Sequence, residues 1–117
     1  MPISYVTAAS LDGTQNGSAP IYAARAWVNF NGTGTVAIRA SGNVSSITDG
    51  GVGVYTVNFT NAMPDANYSP QAAVGLRGTS QNTLIQFIGL SAASAPIANY
   101  ENNALTDSAN VYVAIFR

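Results

Sequence analysis

The chain has 117 residues, enough for one domain with a modest hydrophobic core, and its four arginines and five acidic residues give a formal net charge of −1. It contains no histidine, lysine or cysteine, which excludes histidine-dependent catalytic triads, Schiff-base chemistry, disulfides and thiolate metal sites. The scattered arginines form no basic stripe, and no apolar run approaches the roughly 20 residues of a membrane-spanning helix, so we expect neither nucleic-acid binding nor membrane insertion.

Short β-type runs separated by turn residues follow one another along the chain, and no window shows a sustained helical periodicity. The runs recur at the spacing of about 8–12 residues that is typical of an all-β sandwich or barrel. We therefore predict a small antiparallel β-sandwich of about eight or nine strands. The predicted strands are residues 3–7, 21–30, 35–39, 44–48, 54–59, 68–76, 84–90 and 111–116.

Local features predict the place of several strands in the sandwich. Asn31 and Gly32 suit a tight hairpin turn because both tolerate a positive φ. Pro70 cannot donate a ladder hydrogen bond, so residues 68–76 are predicted to form an edge strand. Residues 84–90 are almost entirely apolar, which predicts a central strand covered on both faces. The apolar strand 111–116 should be paired inside a sheet or buried between subunits.

The rest of the chain divides into less regular segments. Residues 1–20 are rich in glycine and serine and are predicted to be an N-terminal arm or linker, followed by the sandwich domain over residues 21–117. Residues 91–99 form a small-residue segment without a predicted strand, and residues 101–108 are predicted to be a polar loop.

Charged side chains are unusually rare, at 8% of the residues. The surface of a soluble monomer is usually about 25–35% charged, and protein interfaces are depleted of charge. This composition favours a protein with a large subunit interface. The alternative is a neutral monomer whose asparagine, serine and threonine side chains provide its solubility.

Few side chains could carry catalysis or hold a metal. A pair of carboxylates, as in glycosidases, remains formally possible from Asp49, Asp65, Glu101 and Asp107, but the aspartates also fit ordinary turn positions. A loop calcium site at Asp49 or Asp107 is a second alternative. We predict a non-enzymatic protein with no cofactor and no metal site.

Aromatic rings beside amide side chains are suited to sugar recognition, because the ring packs on apolar C–H groups and the amides bind hydroxyls. Most aromatic residues here, including Trp27, Tyr55, Tyr68 and Tyr112, lie in strand patterns that favour packing in the core or an interface. Two polar loops are the better ligand-facing candidates, residues 77–82 and the loop that Tyr100 opens. The candidate residues are Arg77, Ser80, Gln81, Asn82, Tyr100, Glu101, Asn102, Asn103 and Asp107.

Two long phrases and the C-terminus resemble a known family. RAWVNFNGTGTVAIRASGNVSSITD (residues 25–49), YTVNFTNAMPDANYS (55–69) and VYVAIFR (111–117) resemble a C-terminal domain of bacteriophage and prophage tail-fibre proteins. The phrase from Phe59 to Tyr68 is similar to one in phage fibre knobs and lectin-like trimeric sandwiches. Residues 70–110 do not match closely, as expected of variable recognition loops. The resemblance implies a small antiparallel sandwich, intertwined or packed as a homotrimer, at the end of a virion appendage.

The function that the resemblance implies is structural: a knob that attaches the virion to a host surface receptor, a glycan or a protein, and contacts other tail or capsid proteins. Only a short segment precedes the matching phrase, which fits either a fragment of a longer fibre or a small virion protein whose arm docks on the particle. No signal peptide is visible, so we expect assembly in the host cytoplasm. The alternatives are a capsid-decorating or appendage-stabilising protein without a ligand, and a carbohydrate-binding module of a cellular protein.

Overall fold

The computed structural model describes residues 17–75 and 82–117, and every regular element in these residues is a β-strand. This confirms the predicted all-β class. The strands are β1 (Ala26–Asn31), β2 (Ala37–Gly42), β3 (Val44–Asp49), β4 (Val54–Phe59), β5 (Ser69–Val74), β6 (Thr83–Phe87), β7 (Ser94–Glu101), β8 (Ala104–Leu105) and β9 (Val111–Phe116).

The strands form two antiparallel sheets. Sheet A has the order β2-β1-β9-β5, and sheet B has the order β3-β4-β7-β6, with the short strand β8 paired to the end of β7. The strand β9 lies between β1 and β5, which confirms that the apolar C-terminal run is paired inside a sheet. The strand β5, which contains Pro70, lies at an edge of sheet A, as predicted.

The hydrophobic core lies between the two sheets and follows from alternation along the strands. In β4 the odd-numbered residues are buried and the even-numbered ones are partly exposed, as the sequence predicts. The rings of Phe30 and Tyr55 meet edge to face at a centroid distance of 5.2 Å, a favourable aromatic geometry. The largest contributors to the core are Val28, Phe30, Tyr55, Val57, Phe59, Ile97, Val111, Val113 and Ile115.

A single residue, Asn43, carries the chain from sheet A to sheet B. It joins β2 to β3 with a φ of 55°, a left-handed conformation that asparagine tolerates better than most residues. Its Nδ2 donates to the carbonyls of Arg25 and Asn61, each at 3.0 Å, and its Oδ1 accepts from the Asn61 N–H at 2.7 Å. These bonds fix the corner at which the two sheets meet.

Two strand predictions in the second half of the chain were wrong. Residues 91–99 contain most of β7, which pairs with both β4 and β6 and is a central strand of sheet B. Its small side chains, such as Ala95 and Ala98, give a weak strand signal but pack well where neighbours are close. The apolar run at residues 84–90 was predicted to be central, yet β6 lies at the end of the described strand order, with Leu84 57% exposed.

The turn at Asn31 and Gly32 also differs from the prediction. The connection between β1 and β2 is longer than a two-residue hairpin, and its positive φ falls on Gly34, at 59°. A Cβ at Gly32 would lie 2.8 Å from the carbonyl oxygen of Ser108 and closer still to the phenol of Tyr55. Gly32 is therefore required by close packing and not by a tight turn.

Other strands begin or end a few residues away from their predicted bounds. The strand predicted from residue 21 begins at Ala26, and the one predicted at residues 35–39 is β2, which extends to Gly42. The strand predicted at residues 3–7 and most of the predicted arm lie outside the described residues, so the division into arm and domain stays a prediction.

An exposed ion pair ties the C-terminal residue to the turn before β5. Arg117 donates from Nε to Asp65 Oδ1 at 3.0 Å and from a terminal nitrogen to Oδ2 at 2.9 Å. The Arg117 guanidinium, helped by the Asn67 N–H, lowers the pKa of Asp65 from 3.8 to about 2. Because the folded-state pKa is below the unfolded value, the ionised carboxylate contributes stability above pH ~4 that is lost as the pH falls through about 2.

We expect Asp65→Asn to lower the urea midpoint slightly at about pH 6, and the gap from the wild type to close at about pH 2. Urea unfolding of both proteins across this range measures the gap. A gap of the same size at both ends would show that the ion pair does not contribute to stability.

Candidate ligand-binding site

A surface hollow of about 500 Å³ lies where β6 begins and the β7–β8 hairpin turns. We call it the strand-end hollow. It brings together three of the residues predicted from the sequence, Asn82, Tyr100 and Asn103, with three that were not predicted. Among the described residues, its lining is formed by Asn82, Thr83, Leu84, Gln86, Tyr100 and Asn103.

The pairing of β6 with β7 determines which side chains form the wall of the hollow. Leu84 lies opposite Tyr100 in the ladder between β6 and β7, and Gln86 lies opposite Ala98. The neighbouring positions on β7, Ile97 and Asn99, are fully buried in the core. Alternation therefore directs Leu84, Gln86 and Tyr100 to the outer face of sheet B, away from the core.

The rim of the hollow is a two-residue hairpin. Glu101 pairs with Ala104, and the connecting Asn102 and Asn103 have φ values of 50° and 67°. Two consecutive positive φ values are typical of a type I′ turn, for which asparagine is well suited. The Asn102 N–H donates to the Asn82 carbonyl at 2.9 Å, which fixes this turn beside the start of β6. The conformation of this turn thus sets the position of the Asn103 side chain in the hollow.

The lining residues that the structure describes carry no charge, but they are rich in hydrogen-bonding groups. The amides of Asn82, Gln86 and Asn103 each offer both donors and an acceptor, and Thr83 and Tyr100 add hydroxyls. The half-buried ring of Tyr100 and the side chain of Leu84 supply apolar surface. Such a combination can hold a neutral ligand that carries many hydroxyl groups and some exposed C–H surface.

The other predicted site residues have different positions. Glu101 is half-buried at the end of β7 and borders the hollow without lining it, and Asn102 takes part through its main chain. Arg77, Ser80 and Gln81 lie outside the described residues, so their assignment as ligand-facing stays a prediction.

Asp107 has a structural position that the sequence did not predict. Its Oδ1 accepts from the Gly53 N–H at 2.8 Å and from the Tyr55 hydroxyl at 2.9 Å. The same hydroxyl lies 2.8 Å from the Gly32 carbonyl oxygen. Burial, followed by the bond to Asp107, raises the pKa of the Tyr55 phenol, so the hydroxyl remains a donor. The contacts among Gly32, Gly53, Tyr55 and Asp107 thus connect three loops at one end of the sandwich.

Asp49 and Asp65 show the turn roles that the sequence allowed. Asp49 Oδ1 accepts from the Gly51 N–H at 3.0 Å, and Asp65 Oδ1 accepts from the Asn67 N–H at 2.8 Å. Within residues 17–75 and 82–117, no group of three or more histidine, cysteine or acidic side chains is gathered at one point. The same part of the chain holds no helix of the length and apolarity needed to cross a bilayer.

The aromatic residues predicted to pack in the core or an interface divide into two groups. Tyr55 and Tyr68 are buried in the core, whereas Trp27 is 45% exposed and Tyr112 is 40% exposed on the outer face of sheet A, where packing in an interface stays a prediction. The alternation along the strands separates the two groups. Trp27 is out of phase with the buried Ala26 and Val28 of β1, and Tyr112 is out of phase with the buried residues of β9.

No family model matches this chain, and neither does any curated protein or solved structure.

Proposed function

We propose that this protein is a non-enzymatic structural protein of a bacteriophage virion, the knob of a tail or head fibre, and that it binds a glycan on the host surface. The observation that carries the proposal is the strand-end hollow, in which Tyr100 lies among the amides of Asn82, Gln86 and Asn103. The phage context is supported by the resemblance of residues 25–69 and 111–117 to tail-fibre domains.

The two lines of support fall on different parts of the chain. The phrases that resemble tail-fibre domains form β1 to β4 and β9, which supply most of the core. The hollow is built from residues 82–103, in the segment without close resemblance. A common scaffold with a divergent binding region is the arrangement expected of a receptor-binding module.

A neutral glycan is the ligand class that fits the hollow. Sugar hydroxyls both donate and accept hydrogen bonds, and primary amides can satisfy both roles at once. The apolar C–H face of a sugar ring can pack on the Tyr100 ring. The lining side chains among the described residues are uncharged, which suits a neutral ligand.

We also propose that the knob is a homotrimer, which is what its resemblance to tail-fibre domains implies. The low charged fraction of 8% and the near-zero net charge favour association in general. Sedimentation of the purified chain tests this proposal. We expect a species of three 12.0 kDa chains at micromolar concentration, and a clean monomer would contradict it.

An array of bacterial surface polysaccharides tests the glycan proposal. We expect Tyr100→Ala to weaken binding about 10–30-fold, the loss expected for an aromatic contact worth about 1.4–2 kcal/mol. Asn103→Gly keeps the turn, because glycine accepts the positive φ, and removes only the amide, so a loss of about 5–10-fold is expected.

Asn102→Gly is the matched control, since it changes the same turn but removes a side chain that does not line the hollow. Equal binding by the wild type and the Tyr100 and Asn103 variants would contradict the assignment of the hollow. Glycan binding without any association with phage particles would instead indicate a cellular carbohydrate-binding module.

A capsid-decorating or appendage-stabilising role without a ligand is the second candidate. It is favoured by the exposed apolar side chains Val52, Ile88 and Leu105, which are suited to burial against another virion protein. This candidate predicts that the chain binds particles that lack it and binds no polysaccharide on the array.

A further inference from the structure

The outer face of sheet A carries a shallow groove of about 330 Å³, distinct from the strand-end hollow. It lies on the opposite side of the sandwich, because the two sheets bury their inner faces against each other. Its floor and walls are mostly apolar. The side chains that alternation directs outward into it are Trp27, Asn29, Gln71, Ala73, Tyr112 and Ala114.

The indole of Trp27 lies close to Gly42 of the neighbouring strand β2. Trp27 is paired with Gly42 of β2, and a Cβ on Gly42 would come into direct conflict with the indole Nε1 and lie 2.9 Å from Cδ1. The absence of a side chain at Gly42 therefore makes room for the indole over β2. Because the residue is 45% exposed, it offers apolar aromatic surface to a ligand.

Strand register arranges the groove in two rows. In one row Ala114 lies between Trp27 and Gln71, and in the other Tyr112 lies between Asn29 and Ala73. Adjacent strands are about 4.8 Å apart, so Trp27 and Gln71 stand about 10 Å apart across the small side chain of Ala114. The alanines give the groove its depth, the aromatic rings form its walls, and an amide lies in each row.

We propose that this groove is a second saccharide-binding site, which takes a sugar ring of a neutral glycan on the face of Trp27. It goes beyond the proposed function, because that function needs only the strand-end hollow. The groove offers the apolar ring surface that packs on sugar C–H groups, and the amides of Gln71 and Asn29 offer hydrogen-bonding groups to hydroxyls. Each amide also has a partner in the protein: Asn29 Oδ1 accepts from the Arg39 guanidinium at 3.3 Å, and Gln71 Nε2 donates to Ser69 Oγ at 3.3 Å. The lining side chains among the described residues are themselves uncharged, which fits a neutral ligand.

The dimensions of the groove suit a small ligand. Its volume of about 330 Å³ lies within the range of about 300–1,000 Å³ that is usual for small-ligand sites. A second copy of the chain is the competing occupant of this face, and the oligomeric state of a Trp27 variant distinguishes it from a sugar.

The test uses Trp27 as its own reporter, since it is the single tryptophan of the chain. The purified full chain is titrated with maltotriose, cellotriose and tri-N-acetylchitotriose, and tryptophan emission is recorded. We expect a saturable change in emission with at least one of the three. Tyr112→Ala should weaken that binding at least about five-fold while leaving the reporter in place.

Two further variants change the groove without removing an aromatic ring. Ala114→Leu fills the floor from the solvent side and should abolish the saturable change, and Gly42→Ala should lift the indole and weaken binding. Tyr22→Ala is the control, since Tyr22 is an exposed tyrosine outside the groove, and it should bind like the wild type. Urea unfolding of each variant verifies that it is folded.

Three results would overturn the proposal: no saturable change with any of the three sugars up to about 20 mM, a change that persists in Ala114→Leu, or an assembly that Trp27→Ala converts into monomers. The last result would show that a second copy covers the groove. Because the strand-end hollow is tested through Tyr100 and Asn103, failure of one site is distinguishable from failure of the other.

Discussion

Replacing Gly53 with alanine is expected to destabilise the protein by about 2–4 kcal/mol, the larger of the two main effects predicted here. Gly53 has a φ of 70°, in the left-handed region that costs a residue with a Cβ about 1–2 kcal/mol. A Cβ there would also lie 2.6 Å from the Thr106 nitrogen and 2.7 Å from the Asn99 oxygen. Both atoms belong to the main chain and to the hydrogen bond that joins these residues, so neither can move freely.

Gly34→Ala separates the two contributions. Gly34 has a similar φ of 59°, but nothing lies within 4 Å of the position that its Cβ would take. This variant should therefore lose only the conformational cost, about 1 kcal/mol. Equilibrium unfolding in urea measures both free energies. Equal losses for the two variants would show that the packing around Gly53 is looser than described.

Replacing Asp107 with alanine is expected to cost about 2–3 kcal/mol of stability and to leave glycan binding unchanged. The substitution leaves the buried Gly53 N–H without its carboxylate acceptor and removes one of two acceptors from the Tyr55 hydroxyl. Hydrogen bonds to a charged group contribute about 1.5–3 kcal/mol, and a buried donor left unpaired has a similar cost.

Two control variants test whether the loss of stability comes from the buried hydrogen bonds of Asp107. Asp49→Ala removes an exposed turn carboxylate that accepts one N–H, so it should cost about 1 kcal/mol or less. Tyr55→Phe removes the hydroxyl and keeps the ring, and in combination with Asp107→Ala its cost should be less than additive. Unchanged stability combined with lost glycan binding in Asp107→Ala would return Asp107 to the ligand-facing role predicted from the sequence.

Alternation predicted the parts of the fold in which large apolar side chains mark the inner face. Strand β4 was predicted with the bounds that it has because aromatic residues and valine occupy every second position, and β9 because its apolar run is uninterrupted. The strand β7 could not be predicted in this way. Its residues Ser94, Ala95 and Pro96 have little intrinsic strand preference, and pairing with β4 and β6 makes this segment a strand.

The candidate site could be predicted only in part from the sequence. Tyr100 and Asn103 were identified from their polar surroundings, and the structure places both in the strand-end hollow. Leu84 and Gln86 were missed because an apolar run was interpreted as a covered strand, although it lies at an edge. The contacts of Asp107 could not be predicted, because Tyr55 lies 52 residues away in the sequence, a separation that no local pattern reveals.

Competition for adsorption tests the central claim most directly. Host cells are saturated with the purified chain before phage particles that carry it are added, and the free particles are counted. The account predicts that the wild type and Asn102→Gly leave most particles unadsorbed, whereas Tyr100→Ala and Asn103→Gly protect the cells poorly. Adsorption that proceeds at its full rate in the presence of saturating wild-type protein would contradict the claim that this chain binds the host receptor.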